Sequence, residues 1–377
     1  MRRGFSPGGM KLTRRLGAAV VLLLAVPLSA STVRVGVFGL FHPRELMVRP
    51  APGVTLQVQA GRETFLLYGT QRAHLRIFQG QVECHIGDRT FLASSIRVSP
   101  RDGQSPDLLL SVPGRIERRF RGSLEVTAAR RELTSVVVMN LEVAVASAVA
   151  AESPPGASLE ALKAQAVVTR SYYVATRGRH ADFDFCDTTH CQFLRQPPGP
   201  NHLASIATAQ TEGLVLAWRD APLAALFSAN CGGRTHTLAE LGIATDGYPY
   251  YSVACPSCRT GSPVWEAQLD WKDAAPLVSG KNREQARLEV GRKLGWSVLP
   301  GSNYVARREG GKLVIHGRGA GHGVGLCQKG AAAMAAEGAG FREILARYFP
   351  NTVLVTAGRQ ARRPAAASAL TADRTRR

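Results

Sequence analysis

Alternation between hydrophobic and polar positions dominates the first third of the chain. Residues 32–38, for example, have valine at every second position. Similar short runs occur at residues 54–58, 64–68, 108–112, 120–128 and 132–142. A period of two predicts strands with one buried face, and the proline, glycine and aspartate clusters between the runs predict turns. We therefore expect a β-rich N-terminal region over residues 31–115 and two more strands directly after it.

The pattern becomes helical further along the chain. Residues 144–151 are small or apolar, Ser153-Pro-Pro-Gly156 ends that stretch, and Ser158 can cap a second helix that runs to about residue 176. Further helices are predicted over residues 203–211, 284–295, 328–337 and 341–348, and further strands over 214–218, 224–228 and 312–316. The predicted fold class is α+β, in which the β-rich region precedes a mixed helix/strand core over residues 116–356.

The two ends of the chain differ in composition from the rest. Lys11, Arg14 and Arg15 precede an apolar run over residues 18–28, and Leu28-Ser29-Ala30 forms a cleavage signal. These features predict a signal peptide over residues 1–30 and an exported protein of the periplasm or cell envelope. The run is too short to cross a bilayer, so we expect no stable membrane span in the mature chain. Residues 357–377, rich in alanine, arginine and proline, are expected to form a disordered basic tail.

The net charge narrows the choice of partner. The formal charge is +19, but residues 1–30 hold five basic residues without an acid, and residues 357–377 hold six arginines against one aspartate. The remaining basic excess favours an anionic partner, such as a phosphate backbone, a membrane surface or a cell-wall polymer. No basic run is interleaved with aromatic residues, so we expect no nucleic-acid partner.

A carboxylate at a helix end is the first candidate for chemistry. Glu152 precedes the Pro-Pro break, and the next predicted helix carries Lys163 and Arg170 on one stripe of period 3.6. A carboxylate that faces such a helix could act as general acid and base. In the structural alternative, Glu152 simply ends a helix and the two cations are solvated, as most charged side chains are.

Histidine and cysteine cluster in the loop that follows. His180, Cys186, His190 and Cys191 lie within twelve residues of sequence. Two thiolates and two imidazoles suit a closed, structural zinc site. In an exported protein, Cys186 and Cys191 could instead form a disulfide. The spacing leaves both interpretations open.

The other cysteines allow the same two interpretations. Because the chain has seven cysteines, at least one is unpaired or bound to a metal. Cys231 lies in a glycine turn after a predicted strand, and Cys255 and Cys258 form a Cys-x-x-Cys pair. These three residues could form a disulfide or a second metal site.

Glycine occupies every second position from residue 317 to residue 325. This pattern removes alternate side chains, permits close approach by a ligand or another strand, and leaves His322 and Gln328 on a bare surface. The strict alternation is unlike a dinucleotide-binding fingerprint. Tight packing, with His322 as a satisfied interior histidine, is the structural alternative.

These stretches, in this order, resemble the SpoIID/LytB family of bacterial cell-wall proteins. The resemblance rests on Glu160-Ala-Leu-Lys-Ala-Gln-Ala166 with Arg170, Cys186-Asp-Thr-Thr-His-Cys-Gln192, Phe227-Ser-Ala-Asn-Cys-Gly-Gly-Arg-Thr235 and Gly321-His-Gly-Val-Gly-Leu-Cys-Gln328. It implies that Glu152 is catalytic, although serine follows it where the family has methionine. It also implies a zinc ion, in a structural role, whose ligands map onto His180, Cys186, His190 and Cys191. The substrate-binding residues expected from the resemblance and the motifs are Lys163, Gln165, Arg170, Ser228, His322 and Gln328.

The resemblance implies an enzyme that cuts peptidoglycan glycan strands. A lytic transglycosylase of this kind acts between N-acetylmuramic acid and N-acetylglucosamine, prefers strands stripped of stem peptides, and leaves 1,6-anhydro ends. A cell-wall amidase is then the implied partner. Some relatives are amidase enhancers, so a non-enzymatic protein that binds glycan and stimulates an amidase is the alternative. Replacing Glu152 discriminates the two, because it should abolish cutting and leave binding intact.

Overall fold

The computed structural model of the protein describes residues 32–101, 107–129, 131–278 and 282–357. The predicted signal peptide over residues 1–30 and the predicted tail beyond residue 357 lie outside the described residues. Within them, strands dominate up to residue 140, and helices alternate with short strands after it. The prediction of an α+β fold with a β-rich N-terminal region is confirmed.

The helices and strands follow the chain in this order. The strands described before the first helix are β1 (Thr32–Val37), β2 (Glu45–Pro50), β3 (Leu56–Ala60), β4 (Glu63–Leu67), β5 (Ala73–Phe78), β6 (Gln81–Ile86), β7 (Arg89–Ala93), β8 (Ser95–Pro100), β9 (Asp107–Val112), β10 (Ile116–Arg121), β11 (Ser123–Ala129) and β12 (Glu132–Asn140). The described α-helices are α1 (Leu141–Glu152), α2 (Leu159–Ala175), α3 (Leu203–Gln210), α4 (Pro256–Gly261), α5 (Trp271–Ala274), α6 (Arg283–Leu294), α7 (Gln328–Ala336) and α8 (Phe341–Tyr348). The later strands are β13 (Phe185–Cys186), β14 (Leu214–Trp218), β15 (Ala221–Pro222), β16 (Phe227–Ser228), β17 (Val264–Asp270), β18 (Tyr304–Glu309), β19 (Lys312–Arg318), β20 (Leu326–Cys327) and β21 (Val353–Thr356).

Two large sheets form the β-rich part. One has the strand order β10-β9-β2-β5-β6-β7, and the other has the order β13-β1-β12-β11-β8-β3-β4. Apolar side chains from both sheets share one core, as the alternating pattern predicts. Strand β13 joins the second sheet from far downstream and pairs in parallel with β1, so that Cys186 lies opposite Gly36. The β-rich region and the later chain therefore share a sheet.

Helix α2 connects the first core to a second one. It contacts α1, α3, α7, α8 and β14. Apolar residues of α1 and α3 belong to the first core, and those of α7, α8 and β14 belong to the second. A third, smaller core lies between the sheet β17-β19-β18 and α6. Among the described residues, none of the helices is both long and apolar enough to cross a membrane.

Local hydrogen bonds explain where predicted boundaries differ from the structure. The strand predicted over residues 132–142 ends at Asn140, because its side chain accepts a hydrogen bond from the Glu142 N–H at 2.7 Å and starts α1 there. The strand predicted over residues 224–228 shortens to Phe227–Ser228, which pairs with β20. Ser158 does precede α2, but its side chain makes no capping hydrogen bond.

Candidate active site and metal centre

Glu152 is the last residue of α1. Its Oε1 atom accepts a hydrogen bond from the Phe193 N–H at 2.8 Å, and its backbone carbonyl accepts one from Nε2 of Gln328 at 2.9 Å. Burial raises the pKa of Glu152, and the hydrogen bond from Phe193 opposes part of that rise. A carboxyl that keeps its proton at higher pH than usual is suited to general acid catalysis.

A narrow cleft of about 10 Å³ lies beside the end of α1. It is lined by Ser153 and Pro154 after the helix, by Gln165 of α2 and by Gln328 of α7. Gln165 is only 2 % exposed, and its Oε1 atom has no hydrogen-bond partner among the described residues. Because a buried acceptor without a donor is costly, a donor that reached this amide oxygen would stabilise it.

His180, Cys186, His190 and Cys191 converge in the loop after α2. Their ligand atoms all lie within 4.8 Å of one another. His180 Nε2 is 3.3 Å from Cys191 Sγ, and His190 Nδ1 is 3.6 Å from Cys191 Sγ and 3.7 Å from Cys186 Sγ. In a tetrahedral site with bonds of about 2.0–2.3 Å, ligand atoms are roughly 3.3–3.8 Å apart. The donor set and its spacing therefore fit a metal ion.

The thiols of this loop are free rather than joined in a disulfide. Hydrogen bonds from Cys191, His180 and His190 lower the pKa of the Cys186 thiol, although burial acts in the opposite direction, and the same contact with Cys186 raises the pKa of Cys191. A lowered pKa favours the thiolate, which is the form that binds metals. Of the two interpretations left open by the spacing, the metal site is the one that this geometry fits.

Strand β1 anchors the loop that carries these candidate metal ligands. The Asp184 N–H donates a hydrogen bond to the Arg34 carbonyl at 2.9 Å. The ring of Phe183 covers Gly36, where a Cβ atom would lie 2.6 Å from it, and its centroid is 4.5 Å from that of His180. A side chain at residue 36 would therefore displace Phe183 and disturb His180, a candidate metal ligand.

Lys163 and Arg170 have protein partners. Lys163 forms an ion pair with Glu160 at 2.6 Å. Arg170 is fully buried: its guanidinium donates to both oxygens of Glu142 at 2.8 and 2.6 Å and to backbone carbonyls of α3 and β14. Arg170 therefore ties four elements together. Neither a substrate-binding role nor the solvated alternative fits its position.

Ser228 and His322 lie at the glycine-rich segment. Ser228 is 5 % exposed, and its Oγ atom has no hydrogen-bond partner within the described ranges. His322 Nδ1 accepts a hydrogen bond from the Val324 N–H at 3.0 Å. Burial lowers the pKa of His322, and the negative charge of Glu284 opposes that effect. His322 is thus a neutral group with one ring nitrogen already occupied.

Backbone contacts explain the alternating glycines. Left-handed φ values between 71° and 84° occur at Gly319, Gly321, Gly323 and Gly325, and this region favours glycine. A Cβ atom at Gly319 would lie 2.5 Å from the carbonyl oxygen of Asn230. A Cβ atom at Gly325 would overlap the carbonyl oxygen of Leu226. Residues 226–230 of the same chain therefore pack against the surface that these glycines leave without side chains, as the tight-packing alternative predicts.

Three groups at these sites are absent from the sequence-based prediction. Phe193 contributes only a backbone N–H, so no side-chain pattern marks it. Glu284 faces His322 from α6, a separate element of the chain. Cys327 joins Cys231, Cys255 and Cys258 in a second group whose sulfurs lie within 4.8 Å of one another. Because Cys327 is 69 residues from Cys258, it belongs to no short metal-binding motif in the sequence.

The helix pair α1–α2, with Glu152 at the end of α1 and the loop of two histidines and two cysteines after α2, is the part of the chain that a SpoIID-type protein would share. Residues 129–218, which contain these features, match the family model described as stage II sporulation protein. The resemblance to the SpoIID/LytB family that the motifs predict is thereby confirmed, with the family model covering this segment of the chain.

Several curated proteins are similar to this chain. Stage II sporulation protein D of Bacillus subtilis is 26 % identical over 266 residues, which cover 58 % of this chain and 75 % of the relative. An uncharacterized protein of Brachyspira hyodysenteriae is 27 % identical over 63 % of this chain and 72 % of its own length. The amidase enhancer of Bacillus subtilis is 24 % identical over 54 % of this chain and 39 % of its own length.

Glu152→Gln should stabilise the protein at neutral pH. Because the folded pKa of Glu152 is raised, its carboxyl ionises first in the unfolded chain as pH increases, and the folded state loses stability up to the folded pKa. Glutamine keeps an oxygen for the Phe193 N–H but cannot ionise. Thermal unfolding should therefore give similar Tm values below the ordinary pKa of about 4.3 and a higher Tm for the variant at neutral pH. A Tm difference that does not change with pH would contradict this assignment.

Proposed function

We propose that this protein is a peptidoglycan lytic transglycosylase that uses Glu152 as both acid and base. The observation that carries the proposal is the half-buried Glu152 carboxyl, which has a raised pKa and belongs to a residue whose backbone carbonyl accepts a hydrogen bond from the cleft-lining Gln328. The match of residues 129–218 to the SpoIID family model and the similarity to an amidase enhancer support a function related to the cell wall.

One carboxyl is sufficient for the proposed reaction. Protonated Glu152 donates its proton to the glycosidic oxygen between N-acetylmuramic acid and N-acetylglucosamine as the bond to muramoyl C1 breaks. The resulting carboxylate accepts the proton of the muramoyl C6 hydroxyl, whose oxygen bonds to C1. The products are a free N-acetylglucosamine hydroxyl and a 1,6-anhydro end, and Glu152 is protonated again. Because an internal hydroxyl replaces water, the second carboxylate of glycoside hydrolases is not required.

The loop after α2 is proposed to hold a structural zinc ion. Its two histidines and two cysteines would occupy all four tetrahedral positions, which leaves none for water or substrate. Zinc would supply rigidity, since it fixes the loop from which Phe193 donates to the Glu152 carboxylate.

The proposed substrate is glycan from which the stem peptides have been removed. A cell-wall amidase would then act first and would be the functional partner, in the periplasm or cell envelope after removal of residues 1–30. Gln165 and Gln328 are the proposed binding groups in the cleft, because amides can both donate to and accept from sugar hydroxyl and acetamido groups. Ser228 and His322 are further proposed binding groups.

A second candidate function is stimulation of an amidase without cutting glycan. The similarity to the amidase enhancer of Bacillus subtilis favours it. In this case the same cleft would bind glycan, and Glu152 would have no chemical role.

Product analysis separates the two functions. Amidase-treated peptidoglycan is incubated with the chain that lacks residues 1–30, and the soluble fragments are identified by mass spectrometry. We expect fragments that end in 1,6-anhydro-N-acetylmuramic acid and are lighter than hydrolysis products by one water. Fragments with ordinary reducing ends would indicate a hydrolase and overturn the proposal. Binding to glycan and acceleration of an added amidase, without any fragments, would establish the enhancer function instead.

A further inference from the structure

Four cysteines outside the first metal centre form a second, fully buried group. Their exposed fractions range from 0 to 3 %, and the group consists of Cys231, Cys255, Cys258 and Cys327. They come from three separate segments, namely the turn after β16, the start of α4 and the end of β20. Only Cys255 and Cys258 are close in sequence, so tertiary folding brings the four sulfurs together.

We propose that these four cysteines form a tetrathiolate site for a structural zinc ion. Cys258 Sγ and Cys327 Sγ are 3.5 Å apart. A disulfide requires about 2.05 Å, whereas two sulfurs of a tetrahedral site with bonds of about 2.3 Å are roughly 3.8 Å apart. All four sulfurs lie within 4.8 Å of one another, which fits a single shared ion. A donor set of four thiolates selects soft metals such as zinc over calcium or magnesium.

Hydrogen-bond donors surround the sulfurs of this group. The N–H groups of Cys231 and Gly330 point at Cys327 Sγ, at 3.3 and 3.4 Å. The Tyr348 hydroxyl is 3.5 Å from Cys255 Sγ. A neutral thiol is a weak acceptor, whereas a metal-bound thiolate carries charge that such donors stabilise. The surroundings therefore suit thiolates better than four unconnected thiols.

Close packing at Gly330 supports the same assignment. A Cβ atom there would lie 2.5 Å from Cys255 Sγ and would also overlap the Tyr348 hydroxyl. The backbone of α7 can approach the cluster only because this residue has no side chain. The helix that begins at the metal site is thereby packed directly against it.

The site would fix the start of α7 beside Glu152. Cys327 is the N-cap residue of α7, and the next residue, Gln328, donates to the Glu152 carbonyl. The first metal centre acts on the other side, where Phe193 donates to the Glu152 carboxylate. Two metal sites would therefore hold the same glutamate from two directions. The assignment of the second site does not depend on whether the protein cuts glycan.

Zinc content per chain tests the proposal. The full chain is purified under reducing conditions and analysed by elemental mass spectrometry. We expect two zinc ions in the wild type, one in Cys258→Ala and one in Cys186→Ala, in keeping with the two ligand groups. Cys84→Ala is the matched control and should retain two, since Cys84 is a buried cysteine of β6 outside both groups. One zinc ion in the wild type that is lost in Cys186→Ala would overturn the proposal.

Cobalt(II) spectra keep the test decisive if Cys258→Ala fails to fold. In Cys186→Ala only the second site is intact, and its cobalt derivative should show the charge-transfer and d–d bands of four thiolate ligands. A spectrum without such bands would contradict the site. Disulfides among the four cysteines, found by mass spectrometry after alkylation, or iron in place of zinc would overturn the assignment as well.

Discussion

Glu152→Gln should abolish the release of 1,6-anhydro ends from amidase-treated peptidoglycan. The glutamine side chain has nearly the same shape and can accept the Phe193 N–H, but it can neither donate nor take up the proton that the reaction moves. General acid or base catalysis typically contributes about 10²–10⁴-fold. Because one carboxyl serves in both steps, we expect a loss of at least ~10³-fold. A time course of fragment release, followed by mass spectrometry, measures it.

Binding and folding should be preserved in this variant. Co-sedimentation with glycan should equal that of the wild type, and the thermal unfolding transition should remain cooperative. Glu117→Gln is the matched control, because Glu117 lies on β10 in an exposed ion pair with Arg49 and does not line the cleft. Its cutting rate should be unchanged. A Glu152→Gln variant that cuts at a rate close to that of the wild type would remove Glu152 from the acid/base role.

Arg170→Met should lower the free energy of unfolding by about 3–5 kcal/mol, the usual cost of removing one partner from a buried ion pair. Arg170 has no exposed surface, and Glu142, its bidentate partner, has a side chain that is 24 % exposed. Methionine fills much of the same volume but leaves this carboxylate unpaired. The carbonyls of α3 and β14 also lose their donors. Urea unfolding curves of the two proteins give the difference directly.

An exposed pair provides the comparison for Arg170. Arg49→Met removes the partner of Glu117, whose side chain is 44 % exposed, and should cost less than about 1 kcal/mol. Adding Glu142→Gln to Arg170→Met should recover part of the loss, because the unpaired charge disappears. A role in substrate binding predicts the opposite result for Arg170→Met, namely unchanged unfolding and weaker glycan binding.

Much of the β-rich region could be predicted because alternation reports which face of a strand is buried. The runs at residues 32–38 and 108–112 correspond to β1 and β9. The predicted runs do not include β2, β5, β6, β7 or β8. In β6, Val82, Glu83 and Cys84 are buried in succession, which breaks the period of two. Alternation also carries no information about strand partners. The pairing of β13 with β1 therefore has no counterpart in the sequence pattern.

In the candidate site, too, features that are local in sequence could be predicted, and contacts between distant segments could not. The first metal-binding group is detectable because its chemistry is concentrated within twelve residues. The burial of Arg170 was not predictable, because its partner Glu142 belongs to a stretch that reads as a strand and becomes the start of α1. Cys327 was missed because its partners lie in distant segments. Contacts between distant segments depend on the packed fold, which periodicity does not encode.

The parallel pairing of β13 with β1 also bears on how independently the parts of this protein can assemble. Cys186 lies opposite Gly36, and β1 pairs on its other side with β12. Dividing the polypeptide at residue 115 would separate β1 from both of its neighbouring strands. We therefore expect that neither fragment folds by itself. The geometry of the His180–Cys191 loop in the folded chain therefore depends on β1, which β12 holds from the other side. Metal uptake at this loop would report that β13 and β1 are paired.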